Sequence, residues 1–149
     1  MPTYKGIFNP KNKEKYQGSL PIVYRSGWEL SVMCFLDTNP KVKSWGSESI
    51  IIPYVSEIDN RVHRYYIDFV IKFENGETYL IEIKPKTQIQ EPKKSKTGRT
   101  THRYLKECEA YIQNKCKWKA AKQWAEEHNC KFFVWTQDTL KTLGIPIVD

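Results

Sequence analysis

The stretch Tyr66-Ile67-Asp68-Phe69-Val70-Ile71-Lys72-Phe73-Glu74-Asn75-Gly76-Glu77-Thr78-Tyr79-Leu80-Ile81-Glu82-Ile83-Lys84 decides the fold. Apolar residues alternate on both sides of Glu74-Asn75-Gly76, which is the pattern of a β-hairpin. Two registers compete. A two-residue loop, Asn75-Gly76, would pair Asp68 with Ile83 and set each apolar row against a polar one. A three-residue loop, Glu74-Asn75-Gly76, with Gly76 in the left-handed bulge position, pairs Asp68 with Glu82. It also places Ile67, Phe69, Ile71 and Phe73 on the face of Tyr79, Ile81 and Ile83. A slip of one residue is costly when one face is buried, so the three-residue loop is expected. Asp68, Glu82 and Lys84 then emerge together on the opposite face.

Working outward, Val62–Phe73 reads as one strand and Ser49–Val55 as an earlier one, with the β-branched run Ile50-Ile51-Ile52. Pro53 marks that strand as an edge or a bulged one. Upstream, Ser26-Gly27-Trp28-Glu29 has the spacing of a capping box. Trp28, Val32, Phe35 and Leu36 recur at helical spacing until Asn39-Pro40, which predicts a helix over 27–37. Downstream, Tyr104–Asn129 reads as helix, with Asn114 able to cap a second one, so a break is expected near it. Lys131–Thr136 is a final strand and Thr139–Asp149 a short tail. The order is helix, three strands, helix, strand, an α/β fold class. Residues 1–23 carry Gly6, Pro10, Gly18 and Pro21 with Lys5, Lys11, Lys13 and Lys15, and read as a basic arm before a single domain at 24–149. Residues 86–103 read as a basic flexible loop.

The chain has 149 residues and 17.6 kDa, which is one domain's worth. Its 24 Lys and Arg against 17 Asp and Glu give +7, which argues for a polyanionic partner. No run of about 18 apolar residues exists, so no transmembrane helix and no membrane partner are expected. Met1 to Leu20 lacks the apolar stretch of a secretory signal, so the chain is expected not to be secreted. The four cysteines, Cys34, Cys108, Cys116 and Cys130, form no C-x-x-C pair and read as reduced, partly buried residues.

Two carboxylates on neighbouring strands repel unless something cationic sits between them. Oxygen-only ligands suit Mg²⁺ or Mn²⁺. Lys84, on the side of Glu82, could hold or help deprotonate a water. With a phosphodiester bound, this is the equipment for metal-assisted hydrolysis. Taken alone, a D…E-x-K triplet also fits a solvated strand end.

Tyr66-Ile67-Asp68 followed by Ile81-Glu82-Ile83-Lys84 resembles the PD-(D/E)XK nuclease signature, with Ile67 where the motif name has proline. Tyr24-Arg25-Ser26-x-x-Glu29, then Asp68, then Glu82-Ile83-Lys84-Pro85, is similar to TnsA-type transposon endonucleases. The N-terminal Phe8-x-Pro10-Lys11-Asn12 stretch and Tyr24-Arg25-Ser26-x-Trp28-Glu29 resemble the small head-completion nucleases of T4-type tailed phages. The resemblance implies a restriction-endonuclease-like core over about 24–136: a helix, a three-strand antiparallel meander, a helix and a strand, with a mixed central sheet flanked by helices. It implies Mg²⁺ (or Mn²⁺) held by Asp68 and Glu82, with the Ile83 carbonyl as a further ligand. Lys84 would be the catalytic lysine. Glu29 would complete the metal shell, a role that can coexist with its capping of the helix.

The implied activity is metal-dependent cleavage of double-stranded DNA, with low sequence specificity, during phage head completion and head–tail joining. The implied setting is the host cytoplasm or the virion, with phage head or portal-neck proteins as partners. A TnsA-like or junction-resolving endonuclease and a non-catalytic DNA-binding head protein stay open as alternatives, as does the oligomeric state. From Lys84 through Lys106 there are eight basic residues and one acidic, Glu91. Lys86, Lys93, Lys94, Lys96 and Arg99, with Arg25, are the expected DNA contacts, gripping phosphates rather than reading bases. The tryptophans read mainly as core, Trp45 and Trp118 being the two that could stack on the bases of a frayed end.

Overall fold

The structure, a computed structural model, describes residues 5–147. Its elements are β1 (Gly6–Phe8), β2 (Ile22–Tyr24), α1 (Gly27–Thr38), β3 (Val42–Ser47), β4 (Ile51–Val55) and β5 (Val62–Tyr66), then β6 (Phe69–Phe73), β7 (Thr78–Ile83), α2 (Lys86–Ile89), α3 (His102–Glu127), β8 (Lys131–Trp135) and α4 (Gln137–Thr142).

The β6–β7 hairpin has the three-residue register. Phe69 pairs with Ile81, Val70 with Leu80 and Ile71 with Tyr79. Phe73 N–H donates to Glu77 O at 2.8 Å, Gly76 N–H donates to Phe73 O at 3.0 Å, and Gly76 has φ +90. Only glycine takes that conformation without strain, so the loop chemistry and the apolar pattern agree. β3 pairs antiparallel with the free side of β6, and β8 pairs parallel with β7, giving a mixed four-stranded sheet in the order β3-β6-β7-β8.

Each face of this sheet has its own core. On one side Phe69, Ile71 and Ile81 pack with Val32, Met33 and Leu36 of α1 and with Phe8, Ile22, Trp45 and Leu140. On the other, Leu80 and Phe132 pack with Ala121 and Ala125 of α3 and with Ile52, Tyr54, Tyr65 and Ile67. The result is a restriction-endonuclease-like layering of helix, mixed sheet and helix. No helix among the described residues is long and apolar enough to cross a membrane. The four cysteines are unpaired.

Several expectations need correction. The run 62–73 is two strands, not one. β5 pairs with β4 in a separate hairpin, whereas β6 belongs to the central sheet. The change of partner falls at Ile67-Asp68: Ile67 N–H donates to Ile50 O at 3.0 Å, and Asp68 O accepts from Glu48 N–H at 3.1 Å. The first strand of the meander is therefore β3, not the Ile50-Ile51-Ile52 run. β3 leaves no plain alternation in the sequence, because its pairing shifts register between Val42 and Ser44 and the irregularity interrupts the period of two.

α3 runs unbroken for 26 residues, and Asn114 is buried within it instead of capping a new helix. The expected flexible loop begins with α2, and the expected tail contains α4. Residues 148–149 of that tail, and residues 1–4 of the expected arm, lie outside the described residues.

Residues 6–24 are folded against the domain, which differs from an arm. Phe8 and Ile22 enter the core, and β1 pairs with β2. Asp37, buried at the end of α1, accepts from the Lys11 and Asn12 N–H groups at 2.9 Å each. Lys15 Nζ donates to the carbonyls of Asp37 and Asn39 at 3.1 and 2.8 Å, satisfying the helix C-terminus. A buried carboxylate and open helix carbonyls need such donors, and this segment supplies them.

Candidate active site

Asp68 sits where the chain leaves β5 and enters β6, and Glu82 lies across from it near the end of β7. Their side chains point to the α3 face, as do those of Val70 and Leu80. Asp68 keeps an opening to solvent but is otherwise enclosed. Its Oδ2 accepts from Ile83 N–H at 2.8 Å, leaving Oδ1 uncommitted in that bond. Burial pushes its carboxyl up to about 7; the Ile83 N–H and the nearby Lys84 oppose the shift, while the charges of Glu82 and Glu29 add to it. Of the predicted catalytic groups, Glu29, Glu82 and Lys84 all lie close enough for their charges to act on Asp68.

Glu82 is only 5% exposed. Its Oε2 accepts from the indole N–H of Trp118 on α3. The Tyr65 hydroxyl is buried beside it without a hydrogen-bond partner. Burial, Glu82 and Asp68 all raise the pKa of that phenol, which stays neutral. Lys84 follows β7 and is anchored through its N–H to Trp135 O at 3.0 Å, the first step beyond the parallel β7–β8 pairing.

Glu29 enters from α1. Ser26 caps that helix, its Oγ accepting from Glu29 N–H at 3.1 Å while the hydroxyl faces Glu29 Oε2 at 3.3 Å. Burial raises the Glu29 pKa, with Ser26 and Arg25 opposing the shift. Glu29 therefore takes part in the helix cap, as the spacing suggested.

Among the described residues, no three His, Cys, Asp or Glu side chains are close enough to hold a metal by themselves. Two facing carboxylates with a neighbouring backbone carbonyl and water remain a fitting donor set for Mg²⁺ or Mn²⁺, which keep several waters when bound. The raised Asp68 pKa is what an enclosed carboxylate pair shows when no cation balances it.

The expected DNA contacts are more scattered. Arg25 Nη1 is paired with Glu48 Oε1 at 2.5 Å, and Lys86 Nζ with Asp138 Oδ2 at 3.2 Å. Lys94 lies over the Tyr104 ring at 5.9 Å. Lys93, Lys96 and Arg99 are exposed on the segment between α2 and α3. Trp45 is 1% exposed, packed edge-on against Tyr16, and cannot stack on a base. Trp118 faces Glu82 instead.

Three residues at this site have roles that the sequence reading did not assign. Trp118 was expected in the core or stacked on a base, and Tyr65 was not singled out. Glu48, in a left-handed conformation with φ 51, joins Arg25 to the backbone of Asp68. Only an arrangement in space reveals their roles.

Residues 39–137 match the family described as TnsA-like endonuclease N terminal, a span that holds Asp68, Glu82 and Lys84. The chain is also similar to the head completion nuclease of Enterobacteria phage T4. The two are 40% identical over 144 residues, covering 95% of this chain and 96% of that one.

Proposed function

The chain belongs to the TnsA-like endonuclease family, and from that premise we propose that it is a divalent-metal-dependent DNA nuclease acting in phage head completion. The observation that carries the reading is the pairing of Asp68 with Glu82 on adjoining strands, with Lys84 two residues further on. The similarity to a head completion nuclease supports the biological setting.

Asp68, Glu82, the Ile83 carbonyl and Glu29 would hold Mg²⁺ or Mn²⁺. Bound there, the ion would supply charge neutralisation to the phosphoryl and leaving oxygens. Lys84 would orient the attacking water and, once it has given its own proton to solvent, take the proton that the water loses. The N–H of Ile83 fixes the Asp68 carboxylate so that one oxygen stays available. Ser26 does the same for Glu29 from the helix start. α3 covers the back of the site and keeps bulk water from Glu82.

The exposed cations at Lys93, Lys94, Lys96 and Arg99, with Lys86 and Arg25, grip phosphates on either side of the scissile bond. Such contacts fix position without reading bases, so specificity is low. Duplex DNA is the substrate, and head or neck proteins are the docking partners in the host cytoplasm or virion.

The test is cleavage of supercoiled plasmid and of linear duplex, with Mg²⁺ or Mn²⁺ against EDTA, by wild type and Lys84→Ala. Metal-dependent cutting by the wild type alone is expected. Cutting that survives EDTA, or equal cutting by Lys84→Ala, would refute the assignment.

A further inference from the structure

Glu82 is held from behind by an uncharged donor rather than by a cation. Trp118 donates its indole N–H to Oε2. The Tyr65 hydroxyl is buried on the same side without a partner. Lys117, the neighbour of Trp118 in that helix, lies over the Tyr65 ring at 5.5 Å, and no ion pair to Glu82 is found among the described residues.

This choice of donors has a chemical meaning. A lysine or arginine at position 118 would fix Glu82 equally well but would neutralise it and compete with a metal ion. An indole N–H is donor-only and does not titrate, so it orients the carboxylate and leaves its charge intact. Its place is also rigid. Ala121 and Ala125, one and two turns further along α3, are buried against the sheet with Leu80 and Phe132. A group held by packing of a long helix keeps its geometry better than one on a loop.

We propose that Trp118 is a positioning residue for the metal-binding form of Glu82, holding Oε2 so that Oε1 and the full negative charge face the cation. The inference rests on the metal-dependent reading above. Partners that orient a ligating carboxylate typically change metal affinity about 10–100-fold when removed.

The test is calorimetric titration of Mn²⁺ into the full metal-free chain, without DNA. Wild type, Trp118→Phe, Asp68→Asn and Trp124→Phe are compared. Trp124 stacks on His128 near the end of the same helix and serves as the control. Trp118→Phe should bind Mn²⁺ about 10-fold or more weakly, and Trp124→Phe as wild type does. Equal affinity in Trp118→Phe and wild type overturns the proposal, and so does an equal loss in both tryptophan variants. If the wild type shows no Mn²⁺ binding that Asp68→Asn removes, the metal reading itself fails and takes this one with it.

Should Trp118→Phe fail to fold, ¹⁵N spectra decide. Of the five indole N–H resonances, one should move on adding Mg²⁺ to wild type, and the same one should move in Glu82→Gln. If none responds to Glu82→Gln, the proposal is wrong.

Discussion

Replacing Asp68 with asparagine should abolish cleavage yet make the metal-free protein more stable at alkaline pH. Burial, with Glu82 and Glu29 nearby, lifts the Asp68 carboxyl from 3.8 to about 7. That is roughly three units at about 1.36 kcal/mol each, a ceiling of about 4 kcal/mol. The folded state holds this proton more tightly than the unfolded chain does. Below pH 4 both states are protonated and the group costs nothing. As the pH rises from 4 to 7 the unfolded chain ionises first, so stability falls, and above 7 the loss is complete.

Asparagine carries no charge and escapes that loss. It keeps a carbonyl oxygen for the Ile83 N–H, whose preference for the charged form is already inside the net shift; the opening of Asp68 to solvent instead takes about 1 kcal/mol off the ceiling. A net gain of about 2–3 kcal/mol at pH 8 follows, or roughly 6–10 °C in Tm for a chain of this length. The assay is thermal unfolding in EDTA at pH 4, 6 and 8. The gain should be near zero at pH 4 and grow with pH. Mn²⁺ should raise the Tm of wild type at pH 8 and leave Asp68→Asn unmoved. A variant no more stable than wild type at pH 8, or one whose gain is the same at pH 4, would refute the electrostatic account.

Lys84→Ala should lower cleavage about 10²–10⁴-fold, the usual contribution of a positioned acid–base group, while duplex binding in EDTA changes little; plasmid nicking and a binding titration report both. Ser26→Ala removes the α1 cap and should cost about 1 kcal/mol in urea unfolding. It should also reduce cleavage by releasing Glu29, whereas unchanged activity would mean that Glu29 acts only in the helix. Replacing Lys93, Lys94, Lys96 and Arg99 together by alanine should flatten the log–log salt dependence of DNA binding by up to about 0.9 per lost phosphate contact. An unaltered slope would show that this segment does not touch the backbone of the nucleic acid.

The hairpin register was legible because two independent signals, Gly76 in the loop and the apolar rows on the strands, select one answer. That register sets Asp68 beside Glu82 from the pattern of residues alone. Ser26 was legible for a similar reason: a cap is a local motif. What stayed hidden was non-local. β3 carries a bulge that erases its alternation. The run 62–73 alternates without a break, yet serves two sheets, because a change of hydrogen-bond partner leaves no mark on polarity. Asn114 looked like a cap since nothing in the sequence says that a polar side chain is turned inward. Residues 6–24 looked like an arm because their lysines are conspicuous, whereas what anchors them is Asp37, a residue 13 positions beyond Tyr24. The roles of Trp118 and Tyr65 depend on which strand ends up under which turn of α3.

The seam at Ile67-Asp68 has one more consequence. Asp68 is tethered by main-chain groups of three segments: Glu48 N–H on its carbonyl, Ile83 N–H on its side chain, and Ile67 bonded to Ile50 next door. Peptide groups are the same whatever side chains flank them. The carboxylate's coordinates are therefore insulated from drift in the surrounding side chains. The walls of the cleft are free to diverge, as a protein adapting to new docking partners would require, while the reacting centre stays in register.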